Sequence, residues 1–100
     1  MPKRVDANQK EVTDALRARG CSVQPIHTVG KGVPDLIVGH SEGGVGVNYL
    51  IELKDPEKPP SARKLTTDET VWHLKWRGQV DIAHSAEEVM QIIQKRKEKA

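Results

Sequence analysis

Gly32-Val33-Pro34-Asp35-Leu36-Ile37-Val38 and Tyr49-Leu50-Ile51-Glu52-Leu53-Lys54 are the two stretches whose reading decides the fold. Both are apolar, strand-like runs, and each carries charge where charge is costly to bury. Ser41-Glu42-Gly43-Gly44 between them is turn chemistry, so the two runs read as a hairpin of strands Val33–His40 and Val45–Lys54. A turn centred between Gly43 and Gly44 sets Asp35 opposite Glu52, with Cβ atoms about 4.5–5.5 Å apart. Lys54 follows two residues on and projects from the same face. A bulge in the glycine-rich turn would shift this register. The second run is apolar on both faces, with Tyr49, Ile51 and Leu53 on one and Leu50 beside Glu52 on the other. That marks a central strand covered on both sides.

Outward from the hairpin, Asp6-Ala7-Asn8-Gln9 reads as a capping box that opens a helix, and Arg19-Gly20 closes it. Gln9, Val12, Leu16 and Arg19 share one stripe of that helix, flanked by Ala15. Ser22–Thr28 reads as a first strand and the glycine-rich Val29–Val33 as a loop. Asp55–Lys64, with Pro56, Pro59 and Pro60, reads as a surface loop. Thr66-x-x-Glu69 is a second capping box, starting a helix through about Arg77 with Val71, Trp72, Leu74 and Trp76 as its bulk. Val80–His84 reads as a strand with Val80, Ile82 and His84 alternating against Asp81 and Ala83. Ser85-x-x-Glu88 caps a last helix with Val89, Ile92 and Ile93 inward, its basic tail Lys95-Arg96-Lys97-Glu98-Lys99 fraying. The order α-β-β-β-α-β-α predicts an α/β fold with a mixed sheet flanked by helices.

At 100 residues the chain has room for one core, and residues 1–100 read as one domain. It is 36% hydrophobic and 30% charged, which excludes the disordered and membrane classes. No apolar run approaches a membrane span. Met1-Pro2-Lys3-Arg4 leads into polar sequence rather than a signal-peptide core, so a cytoplasmic location is the expectation. A net charge of +2 permits nucleic-acid binding without demanding it. The single Cys21 allows neither an internal disulfide nor a cysteine-rich zinc site and reads as a small core or boundary residue.

Two opposed carboxylates repel unless a proton or a cation lies between them. Mg²⁺ or Mn²⁺ suits such a pair, since a hard cation takes one or two carboxylates together with waters and phosphate oxygens. The Leu53 carbonyl lies between the Glu52 and Lys54 side chains and is a further candidate ligand. Lys54 is placed to orient a water or to neutralise charge on a reacting phosphate. Any one of these residues alone suits a cross-strand salt bridge; the combination points to a metal-dependent nuclease.

Pro34-Asp35…Glu52-Leu53-Lys54, in this order of elements, resembles the PD-(D/E)xK nuclease signature and its αβββαβ core. More narrowly, Gly32–Val38, the Glu-Leu-Lys strand and the Thr-rich helix with Trp72-His73 resemble the small stand-alone VRR-NUC nucleases of phages and bacteria, which are similar to archaeal Holliday-junction resolvases. The resemblance runs from about Asp6 to Val89. It implies that Asp35 and Glu52 are metal ligands and Lys54 is catalytic. It also implies a further polar contact from the first helix, commonly a glutamate. By its place on the buried stripe the candidate is Gln9, an amide in place of an acid. Either Gln9 contributes through its carbonyl oxygen or a water, or Glu11 substitutes, or Gln9 only completes a helix cap. Junction-cutting members resemble one another in being homodimers, since two symmetric strands need two coordinated cuts.

The substrate this implies is branched DNA, with four-way junctions first and flaps or nicked duplex second; a silent DNA-binding module of the same fold is the remaining reading. DNA repair and recombination, in a bacterium or a phage-infected cell, are the corresponding settings. Lys31, Arg63, Lys64 and His73 are the candidate DNA contacts, each also at home as an ordinary surface or helix residue. Trp72 and Trp76, four apart on one helix, suit core or dimer packing better than base stacking.

Overall fold

The computed structural model describes residues 7–99. The elements are α1 (Ala7–Ala18), β1 (Ser22–Pro25), β2 (Leu36–Glu42), β3 (Val45–Leu53), α2 (Thr67–Lys75), β4 (Asp81–Ala83) and α3 (Ala86–Lys99). The element order is the one read from the sequence. The sheet runs β1-β2-β3-β4, with β3 central and β4 parallel to it. A parallel neighbour needs a crossover connection, and α2 lies within it.

The hairpin has the expected register. Glu42 faces Val45 and Leu36 faces Ile51, so Asp35 stands opposite Glu52 one residue beyond the ladder. Gly43 and Gly44 have φ of 59° and 81°, both in the left-handed region that a type I′ turn requires. The two-residue turn lets β2 run on through Glu42, further than His40. At the other end β2 begins at Leu36, and Val33–Asp35 belong to the preceding loop. β1 likewise stops at Pro25, and His27–Val29 form a single 3₁₀ turn instead of more strand. Proline offers the ladder no N–H, which favours ending the strand there.

α1 buries Gln9, Val12, Thr13 and Leu16; Arg19 lies off the stripe, exposed and paired with Glu87. Cys21 N–H donates to the Leu16 carbonyl and Gly20 takes φ 89°, closing the helix as expected. The Asp6 cap lies outside the described residues. α1 and α3 contribute Val12, Leu16, Ala86, Val89 and Ile93 to the core. Val23, Leu36, Val38, Tyr49, Ile51, Leu53 and Ala83 complete it from the sheet. In β4 the expected faces are reversed: Ala83 is buried and Ile82 exposed. Small Ala83 belongs to the same buried cluster as Val89 and Ile93 of α3. α3 is helical to Lys99, its tail held by Arg96–Asp81 and Lys97–Glu42 ion pairs.

α2 departs most from expectation. It has the capping box, with Thr66 accepting from Glu69 N–H and Glu69 accepting from Thr66 N–H, but it buries no side chain. Trp76 is its C-cap, so the helix ends before Arg77. Two attachments hold it. Lys54 bonds to Glu69, and Gly32 packs so closely on the Asp68 backbone that a Cβ there would overlap the Asp68 carbonyl.

Candidate active site

Asp35 reaches the site from the loop entering β2. Its own carbonyl accepts from Ile26 N–H at 2.8 Å, and its carboxylate accepts from Leu53 N–H at 2.8 Å. The acid is thus clamped between the edge of β1 and the end of β3. Pro34 before it is fully buried, and the residue's fixed φ directs the chain into the sheet. Glu52 projects from β3 on the side away from Ile51 and Leu53, by strand alternation. It is only 1% exposed, and its Oε1 is buried with no hydrogen-bond partner.

Burial first, then a hydrogen bond from Asp35 and the charges of Asp35 and Glu69, push Glu52 far above the usual carboxylate range; Lys54 opposes this only in part. Glu52 therefore resists ionising beside Asp35. An unpartnered buried oxygen beside a second acid is a group short of positive charge. Asp35 and Glu52 are two hard oxygen donors on opposed backbone positions. A residue's N–H and C=O point to the same side of a strand, so the Leu53 carbonyl faces the Asp35 edge with its N–H. Among the described residues no group of three or more His, Cys, Asp or Glu side chains could hold a metal ion. A cation at Asp35 and Glu52 would have to complete its shell from backbone oxygen, water or substrate.

Lys54 arrives at the same site as expected, but with a partner the sequence reading did not name. Its ammonium donates to Glu69 Oε1 at 2.7 Å, and both side chains are largely buried. Burial raises Glu69, but bonds from Lys54 and Thr66 prevail and hold it below the usual range. Glu69 is at once the N-cap partner of α2 and the anchor of Lys54. The cap motif was visible in the sequence; its second bond depends on α2 folding back over the end of β3. His73, one turn along α2 from Glu69, feels both Glu69 and Lys54. Burial pulls its pKa down, favouring the neutral ring, and its Nε2 is buried without a partner.

The remaining candidates are more scattered. The Gln9 side-chain nitrogen lies 3.0 Å from His27 Nδ1, and none of the described hydrogen bonds joins it to Asp35 or Glu52. Glu11 is exposed on α1. Lys31, at φ 56°, lines a cleft against α2 with Trp72 and Trp76. Arg63 is half-buried with its Nε unpartnered, and Lys64 is exposed.

A solved structure described as a VRR_NUC domain matches this fold with a TM-score of 0.57 and 25% sequence identity, over 86% of this chain and 89% of that one. The fold is VRR-NUC-like. No family model matches the sequence, and no curated protein matches it. No helix is long and apolar enough to cross a membrane among the described residues.

Proposed function

We propose that this chain is a nuclease domain acting on DNA, and more specifically a Mg²⁺- or Mn²⁺-dependent endodeoxyribonuclease that cleaves branched DNA, four-way junctions above all, as a homodimer. The VRR-NUC-like fold supports the nuclease reading. The observation that carries the chemistry is the Asp35–Glu52 pair, two opposed acids with one Glu52 oxygen buried and unpartnered. Asp35, Glu52 and the Leu53 carbonyl are the residues that would hold the cation. When bound, it supplies Lewis-acid polarisation of the phosphodiester and a more acidic water.

The protein's own part is positioning. Leu53 N–H fixes one Asp35 oxygen, so its other oxygen is directed to the shared site. Lys54, anchored by its bond to Glu69, offsets the charge that builds on the phosphate as water adds and the ester oxygen departs. Neutral His73 beside this pair adds no competing charge. Gln9 acts at one remove in this reading: it steadies His27, next to the Ile26 N–H that bonds the Asp35 carbonyl. A flap as substrate is a second reading, favoured by the exposed Trp76 indole stacked on Trp72, which suits an unpaired strand.

Purified protein with a labelled four-way junction, a flap and a plain duplex tests this. Paired symmetric nicks in the junction with Mn²⁺, absent in EDTA and in Lys54→Ala, are the expected result. Flap cutting alone selects the second reading. Binding without cutting in any divalent metal makes the chain a silent DNA-binding module and defeats the proposal.

A further inference from the structure

The cleft beside α2 is built differently from an ordinary helix surface. Lys31, Asp68, Val71, Trp72, Lys75 and Trp76 line a volume of about 420 Å³. Trp72 and Trp76 stack at 4.6 Å between ring centres and 18° between planes. Trp76 is nonetheless 47% exposed, so the stack leaves indole surface open to solvent. Its Nε1 edge lies over Gly78, 2.9 Å from where an added Cβ would stand, so the ring occupies space that a side chain there would take. A large aromatic stacked on one face and left uncovered on the other is a surface on which a further flat ring can stack.

Charge and location say what that is. Neither Lys31 nor Lys75 has an ion-pair or hydrogen-bond partner among the described residues. They outnumber the one acid of the cleft, Asp68. The loop bearing Lys31 leads within four residues to Asp35, and α2 carries Glu69, the anchor of Lys54. The cleft therefore shares the Lys31 loop and α2 with the proposed reaction centre and presents cations beside a flat π surface. A nucleotide has the matching anion and flat ring, and a base within a duplex is already stacked on both faces.

We infer that this cleft binds an unpaired nucleobase next to the scissile position, stacked on Trp76 with its backbone phosphate at Lys31 and Lys75. This rests on the nuclease reading above and names the feature of branched DNA that the site selects. An unpaired base exists in a flap, and in a four-way junction only where a pair at the crossover opens, and not in intact duplex, so the cleft supplies structure selectivity without reading sequence.

Equilibrium binding in EDTA, where no strand is cut, tests this with a fluorescently labelled flap and a blunt duplex of equal length. Trp76→Ala, and Trp76→Leu as a variant that keeps apolar bulk, should each weaken flap binding by about fivefold or more while changing duplex binding less than twofold. Trp76→Phe should recover most of the loss, and the flap should quench wild-type indole fluorescence where the duplex does not. Equal effects on flap and duplex, or none on either, overturn the inference. So does conversion of a dimer to monomer by Trp76→Leu in sedimentation, which assigns the face to a second copy of the chain. A wild type that binds the flap selectively but cuts nothing in Mn²⁺ defeats the nuclease reading alone. A wild type that cuts, with Trp76→Leu indifferent to the flap, defeats the base-binding cleft alone.

Discussion

Glu52 carries a conflict between folding and ionisation that can be measured. Its proton affinity is raised in the folded protein by burial first and by Asp35 next, from an ordinary value of 4.5. Above pH 4.5 the unfolded chain releases this proton and the folded one keeps it. Stability of the metal-free protein therefore falls as pH rises from there toward the raised folded value, by at most about 1.4 kcal/mol per pH unit. Thermal melts in EDTA should give a lower Tm at pH 8 than at pH 5, and Glu52→Gln should flatten that slope. An unchanged slope in Glu52→Gln would assign the effect elsewhere. Mn²⁺ should raise the wild-type Tm at pH 8 and leave Glu52→Gln nearly unmoved. Lys54→Ala removes the charge facing the phosphate and should cut nicking by about 100-fold or more. The positions of Asp35, Glu52 and Lys54 were legible because charge in apolar strands is rare and strand alternation is strict. Glu69 as the partner of Lys54 was not, because local sequence shows only its capping role.

At the level of elements, the hairpin was legible and α2 was not. Two successive glycines specify a two-residue turn, and that turn fixes every pair down to Leu36 and Ile51. The apolar content of α2 suggested burial, but Val71, Leu74 and Trp76 are exposed. Burial depends on what stands opposite, which a single sequence does not show, and α2 meets the rest of the fold chiefly through Glu69 and Gly32. Those two attachments make separable predictions. Thr66→Ala removes the cap and should cost about 1 kcal/mol in urea unfolding. It also releases one constraint on Glu69, so nicking should fall beyond what the lost folded fraction explains. If activity tracks folded fraction alone, Glu69 does not position Lys54. Gly32 has φ 85° and no room for a Cβ against Asp68. Gly32→Ala should therefore destabilise by more than about 1 kcal/mol and displace both the Lys31 loop and α2. Gly46, with open space around it and ordinary φ, is the control position where alanine should be tolerated.

For the molecule as a whole, a net charge of +2 is too small to draw DNA from a distance, so the arrangement of charge has to do it. Many cations are already neutralised locally: Lys10 by Asp14, Arg19 by Glu87, Arg96 by Asp81 and Lys97 by Glu42. Lys31, Lys64, Lys75 and Arg77 have no such partners among the described residues. All four belong to the chain between the glycine loop and Arg77, just past the end of α2, the segment that also holds Asp35, Glu52 and Lys54. At the opposite end of the sheet Arg96 and Lys97 are paired with Asp81 and Glu42, while Lys95 and Lys99 of α3 have no such partners among the described residues. Phosphate contacts on the active-site side should consequently involve Lys31 and Lys64 and leave Lys97 out. Each phosphate neutralised on duplex contributes about 0.9 to the slope of log affinity against log salt. Lys31→Ala and Lys64→Ala should each lower that slope by up to this amount, whereas Lys97→Ala should leave it unchanged. A salt series of anisotropy titrations on one labelled duplex measures all three. A slope that responds to Lys97 as strongly as to Lys31 would place DNA across the wrong end of the sheet, away from the carboxylates that are proposed to cut it.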